Sequence, residues 1–456
     1  MTGREPAAAS ASRKRHLAAR RRRDDAARRT VGVGVWVVAF YIVLDYGKPQ
    51  LYLPFLQYLK LGLWAPLLGT AVLILRRPHP LPREGKVILW ILAGMAVVIP
   101  FSDNPRVAFN TVFTLLQMML AGPWVLMTTV DDVRKLRVLL WTYVWVGALQ
   151  VVQGILRGGT GIGGYFVDEN DLCMLAATVA PIAYFLGSTA SGVAGRVAGF
   201  TVLVLSVLSG VATFSRGGFL AMIAVGLYVV LRSRRPAATL AVIAVALILV
   251  YPLVPVEWYD EMKTIDSAHE YGDTGAVRIY MWKVAWKVFL HNPVLGVGAN
   301  NLGRELPEFE DPRSGQRPLW GRACHSLYLT LLSETGVVGT ALWAALLVCC
   351  FAATTGAGRR VKDLIASDAT GPASASVAAG RQLFGACRGL EAAMVGFLAA
   401  GVFLTINYYP VMWTLVAFMS ATRVVLANEP ALSAAREGPR GAVESRAASG
   451  GAGTGA

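Results

Sequence analysis

The chain has 456 residues, 55% of them hydrophobic and only 16% charged, with a mean hydropathy of +0.51. A soluble domain carries nearer a quarter of charged residues, so this composition excludes an ordinary soluble enzyme and predicts a polytopic membrane protein. The net charge is +15 and the isoelectric point is near 9.8. Nucleic acid is not the expected partner, because the basic residues sit at the ends of apolar runs and in both tails, as membrane orientation requires.

Residues 1–30 are rich in Ala and Arg and lack an apolar core. The basic stretch is too long for a signal peptide and no small-residue cleavage site follows it. It reads as a disordered cytoplasmic tail that anchors the first span. Apolar runs then fall near 31–47, 57–75, 86–101, 107–128, 138–157, 169–189, 196–214, 217–232, 237–255, 325–350, 390–407 and 410–427. A helical crossing needs roughly 17–25 residues. The expectation is therefore an all-α membrane bundle of about twelve spans, nine of them in 31–255 and three in 325–427. Residues 355–389 form a small-residue-rich cytoplasmic loop, and 428–456 a second disordered cytoplasmic tail. With both termini inside, most of the 43 Lys and Arg fall on the cytoplasmic side, in agreement with the positive-inside bias. The large polar segment 256–324 then lies outside.

The five cysteines form no CxxC pair, and Cys349 and Cys350 lie within an apolar run. Neither a disulfide framework nor a zinc site is expected. The set DENDLCML (168–175) offers Asn170 among acids at an outer helix start, good N-cap chemistry.

Arg216 sits in TFSRGG, a turn between two apolar runs. It is either an interfacial capping charge that snorkels to water or a phosphate ligand. Gly217 and Gly218 permit close approach of a ligand, and the amides that open the next helix favour an anion. Arg278 opens RIYMWKVAWKVFLHNP, where Ile279, Trp282, Trp286, Phe289 and Leu290 recur at helical spacing. This predicts an amphipathic helix in the outer interface, with Lys283 and Lys287 greeting lipid phosphates. A cation at a helix start is disfavoured by the dipole unless it serves something, and a guanidinium can grip a diphosphate through two parallel bonds. HNPVLGVGANN (291–301) ends that helix and reads as a structural turn.

His325 opens the tenth span. A neutral imidazole facing water suits a general base near pH 7, although a plain interfacial histidine fits as well. Its neighbour Cys324 does not share its helical face, which argues against a Cys/His nucleophile. Glu334 lies about 13 Å deeper at 1.5 Å per residue and points to the opposite side. A carboxylate at that depth needs a partner, and Gly336 and Gly339 suit close helix packing.

In order and spacing, SRGG at a span turn, RxxxWKxAWxxFxxNPxxGxGxNN and HSLYLxxLxExGxxG resemble the O-antigen ligase and Wzy-type polymerase superfamily. The resemblance covers residues 158–340 by motif. It implies a bacterial inner-membrane glycosyltransferase that moves a glycan from a polyprenyl-diphosphate donor to an acceptor hydroxyl on the periplasmic side. The acceptor would be the lipid A core or another lipid-linked repeat. It implies Arg216 and Arg278 as diphosphate ligands, His325 as the residue that activates the acceptor, and supporting places for Asn170 and Glu334. It implies no cofactor and no metal, and a single displacement that inverts the anomeric centre. Related sequences have also been called bicarbonate transporters, so a small-anion transporter and a non-catalytic envelope scaffold stay open as alternatives.

Overall fold

A computed structural model describes residues 32–76, 79–233, 274–311, 319–367 and 375–429, with isolated positions between 236 and 248 and at Leu432. The expected tails, the expected span at 237–255 and the 256–273 part of the expected external segment lie wholly or mostly outside the described residues. Among the described residues all regular structure is helical.

The first half of the chain forms α1 (Val33–Gly47), α2 (Leu61–Leu75), α3 (Arg83–Val98), α4 (Pro105–Ala121), α5 (Pro123–Thr129) and α6 (Val133–Leu156). Then come α7 (Glu169–Ser188), α8 (Val193–Ala212), α9 (Arg216–Arg232) and α10 (Thr274–His291). The last three are α11 (Leu327–Ser367), α12 (Ala375–Ala400) and α13 (Pro410–Asn428). Eight helices among the described residues are long and apolar enough to cross a membrane: α3, α4 continued through α5, α6, α7, α8, α11, α12 and α13. The apolar runs at α1 and α2 give helices of 15 residues each, and α9 has 17. Pro54 turns the start of the second run into a short 3-10 helix, which shortens α2. The 355–389 connection is largely helical, because α11 runs to Ser367 and α12 starts at Ala375.

Burial follows composition. The helix α13 is apolar nearly all round, and most of its residues from Pro410 to Leu426 are buried, as such a helix must be. It packs on α11, α12 and α5, while α7 packs on α8, α12, α6 and α9. The helices α7 and α8 meet backbone to backbone: a methyl group on Gly199 would stand 2.6 Å from the carbonyl oxygen of Ala183. Small residues permit this approach where lipid supplies no hydrophobic drive.

Two buried acids tie the bundle together. Glu84 of α3 accepts from Ser420 Oγ (2.9 Å) and pairs with Arg423 (3.2 Å), both on α13. Glu391 of α12 pairs with Arg388 (2.7 Å) and bonds Tyr228 of α9 and Thr355 of α11. Hydropathy alone conceals such acids, since each sits in a run that remains apolar on average.

The segment expected outside the membrane has its own apolar core. Met281, Val284, Ala285 and Val288 of α10 pack with Val297, Leu302, Leu306, Leu319 and Cys324. The expected apolar stripe meets this core only in part. Of that stripe, Phe289 is buried and Trp282 packs against this core, while Trp286 and Leu290 face outward, alongside Lys283 and Lys287.

Candidate functional site

The connections 157–168, 213–215 and 401–409, together with residues 274–311 and 319–326, gather at one end of the bundle. Asp168 caps α7: its Oδ1 accepts from the Asn170 backbone N–H and from Asn170 Nδ2, each at 2.8 Å. Asn170 Oδ1 in turn accepts from Ser215 Oγ at 2.7 Å. Ser215 caps α9, its Oγ accepting from the Gly218 N–H at 2.9 Å. A serine at this position satisfies one orphan donor of the first turn. The acidic start of α7 is therefore fixed to the start of α9, where Arg216 is the first helical residue. Phe214, just before the cap, has φ 51°, a left-handed conformation that a bulky residue adopts only when its surroundings impose it.

Arg278 and His325 approach the same place from the other side. Trp282 lies one turn beyond Arg278 on α10, and its indole N–H donates to the Cys324 carbonyl at 3.1 Å. This fixes the Arg278 face of α10 against the lead-in to α11. His325 holds the left-handed conformation too, with φ 52°. Its backbone N–H donates to Thr405 Oγ1 at 3.0 Å, and the Leu327 N–H donates to the Gly401 carbonyl at 2.7 Å. Phe403, between these anchors, has its ring 6.2 Å from that of Trp282. On its other side it lies against Gly217, where a methyl group would stand 3.0 Å from Phe403 Cβ. The 401–405 segment thus touches the start of α9, the helix α10 and the lead-in to α11 at once.

The electrostatics match this placement. Burial pulls the proton affinity of His325 below the ordinary histidine value, Arg278 lowers it further, Asp168 opposes the shift and Arg322 adds to it. The imidazole is therefore neutral at pH 7. Burial pushes the neighbouring Cys324 thiol up to about 12, with Glu334 acting the same way. That leaves it protonated and a poor nucleophile.

Glu334 belongs to a different arrangement. The helix α11 breaks at Gly336, whose φ of 60° and ψ of −167° only glycine adopts readily. The 291–301 turn docks onto the break. Val297 and Gly298 donate N–H groups to the Ser333 and Glu334 carbonyls (2.9 and 3.1 Å). Val337 and Val338 donate to Pro293 and Val294 (2.8 and 3.3 Å). Backbone freed from a helix inside a membrane needs such partners. The Glu334 carboxylate accepts from Tyr408 Oη (2.5 Å) and the Leu302 N–H (3.4 Å). The structure thus brings Asn170, Arg216, Arg278 and His325 to one end of the bundle, and sets Glu334 behind them to hold the turn.

Sequence reasoning missed Asp168 as a charge facing His325, and it missed Arg322, Phe403 and Thr405. Only Asp168 carried a signal, as one acid of the DEND run. GVFLTINYY (401–409) reads as the end of an apolar span, whereas α12 stops at Ala400 and these residues form the floor of the site.

The fold and this cationic cluster define a polytopic helical membrane protein with a charged site at one end. The family model described as O-Antigen ligase matches residues 201–344. This stretch, which holds Arg216, Arg278, His325 and Glu334 and leaves out Asn170, belongs to the O-antigen ligase and polymerase superfamily. No curated protein matches the chain.

Proposed function

We propose that the chain transfers a glycan from a polyprenyl-diphosphate donor to an acceptor hydroxyl, with Arg216 and Arg278 holding the diphosphate and His325 acting as general base. The observation that carries this reading is the placement of Arg278 beside a neutral His325, across Phe403 from the start of α9, within the family-matched stretch. The diphosphate bears the charge that grows as the anomeric C–O bond breaks. Two guanidinium groups and the positive end of α9 stabilise that charge. The acceptor oxygen forms the new bond from the opposite face, so the anomeric centre inverts, and its proton passes to the ring nitrogen of His325. A general base supplies roughly 10²–10⁴-fold of rate.

The arrangement couples donor binding to base strength. In the free protein Arg278 and Arg322 hold the proton affinity of His325 down. A bound diphosphate offsets those charges, so His325 becomes the stronger base when the donor is in place.

Glu84 and Glu391 are each paired with an arginine, which favours a role in holding the bundle over relaying ions, and so favours transfer over transport. The end of the bundle opposite His325 carries Arg76, Arg83, Lys86, Arg134, Lys135 and Arg137. By the positive-inside rule this supports a cytoplasmic position for that end and a periplasmic one for the site.

The test is complementation of a deletion strain. Arg216→Ala, Arg278→Ala and His325→Ala should each abolish surface glycan while the protein remains in the membrane. Full activity of the triple variant would refute the assignment. In the deletion strain itself, retained lipid-linked polymer with none on lipid A indicates a ligase, and accumulated single repeats indicate a polymerase.

A further inference from the structure

A groove of about 890 Å³ opens at the end of the bundle opposite His325. Its position follows from two helices. The helix α6 starts at Val133 in the groove and ends at the connection that leads to Asp168, and α13 runs from Tyr409 at the site to Glu429 in the groove. The 24 residues of α6 separate the two places by about 35 Å.

Among the described residues, three acids and three cations surround this groove, but one of the cations has no acid against it. Its acids are answered within the protein: Asp131 by Lys135 and His79 (2.5 and 3.5 Å), and Asp132 by Lys135 (3.4 Å). Asp132 also accepts from the Lys135 N–H (2.7 Å), and Glu429 from the Val133 N–H (2.9 Å). Arg137 is not answered. It is half-buried, its Nε is shut off from solvent with no hydrogen-bond partner, and no acid among the described residues pairs with it. Partly burying a guanidinium without a partner is costly unless a ligand supplies the anion. Arg134 adds a second cation to the lining.

Trp141 and Trp145 continue the same face of α6, one and two turns beyond Arg137, with their rings stacked at 6.0 Å. Val138 lies between them and the arginine, and Ala378, Ala379 and Gln382 of α12 form the facing wall. The groove therefore presents a cation at its mouth and an aromatic wall that runs about 12 Å into a membrane-spanning helix. A free anion would use only the mouth. An anionic amphiphile uses both parts.

We propose that this groove binds a phospholipid with a net-negative phosphate headgroup, the phosphate on Arg137 and the acyl chains along Trp141 and Trp145. Guanidinium suits this role, since it pairs two phosphate oxygens at once and is weakly hydrated. The proposal does not depend on the transferase reading.

The experiment uses the full-length protein in detergent and follows thermal unfolding against added phosphatidylglycerol, phosphatidylcholine or inorganic phosphate. Phosphatidylglycerol should raise the midpoint at concentrations where the other two do not. Arg137→Gln should require about tenfold more phosphatidylglycerol, the loss of one charge-assisted contact, while its midpoint without lipid stays equal to or above wild type. Lys86→Gln makes the same charge change on an exposed residue at the same end, outside the groove, and should respond as wild type does. Arg137→Lys should fall between wild type and Arg137→Gln. Equal response to both lipids, stabilisation by inorganic phosphate alone, an unchanged response of Arg137→Gln, or an equal loss in Lys86→Gln would each overturn the proposal.

Discussion

Asn170→Ala separates a site-positioning role from a merely structural one. The side chain joins two helix starts: it accepts from Ser215 Oγ at 2.7 Å and donates to Asp168 at 2.8 Å. Removing both contacts costs about 1 kcal/mol each. That total of roughly 2 kcal/mol amounts to a drop of about 2 °C in the unfolding midpoint of a chain this long. The Ser215 cap on Gly218 survives in part, because it does not itself require Asn170. Arg216 is the next residue, and a misplacement of about 1 Å in a positioning group costs on the order of 100-fold in rate. Transfer by the purified variant in lipid nanodiscs should therefore fall about 10–100-fold at a temperature where it stays folded. Asn170→Asp keeps an acceptor for Ser215 but sets a further negative charge near the diphosphate. It also loses the hydrogen-bond donor to Asp168 and sets two carboxylates side by side, so it should melt below wild type as well as bind the glycan donor more weakly. The reasoning fails if Asn170→Ala transfers at the wild-type rate, or if its loss of activity is matched by an equal loss of folded protein.

The pH profile carries a second expectation. Because His325 titrates below the ordinary histidine value in the free protein, the acidic limb of kcat/KM should lie below pH 6.5. Donor binding offsets Arg278, so the limb in kcat should lie at higher pH than the limb in kcat/KM. The linked stability has a fixed sign: the unfolded chain binds this proton more readily, so the contribution of His325 is present above the unfolded pKa and is lost as pH falls through the folded one. Gly336→Ala would force a side chain into a glycine-only conformation, with its methyl 2.2 Å from the Val294 carbonyl oxygen. It should destabilise by at least about 1–3 kcal/mol, seen as a lowered thermal midpoint. Glu334→Ala strands the Tyr408 hydroxyl and the Leu302 N–H, each at about 1–3 kcal/mol, whereas Glu334→Gln should keep most of the stability and much of the transfer activity.

The helical membrane character of the fold was legible because hydropathy reports burial and lipid exposure together. Spans such as 169–189 and 410–427 lie within a residue or so of α7 and α13. The inner boundaries were less legible. The run at 390–407 joins the end of α12 to the 401–409 floor, because that floor is apolar and lies between packed helices. The face of α10 was legible in part: Trp282 and Phe289 meet the buried core, but large aromatic residues dominate a periodicity count, which passes over the smaller Val284, Ala285 and Val288 that fit a crowded helix contact. Arg216, Arg278 and His325 stood out because each is a polar group beside a turn or a span end. Asp168 and Thr405 act on His325 from distant parts of the chain, and Arg322 from within its own loop, and local pattern does not register such pairings. The link from Asn170 to Ser215 likewise spans two connections that look unrelated in the sequence.

The most direct test of the central claim measures donor binding and transfer separately on the purified protein, with a labelled polyprenyl-diphosphate oligosaccharide as donor. His325→Ala should bind the donor within about twofold of wild type and transfer it roughly 10²–10⁴-fold more slowly. Arg216→Ala and Arg278→Ala should lose donor binding itself. Wild-type transfer by His325→Ala, or undiminished donor binding by both arginine variants, would contradict the account.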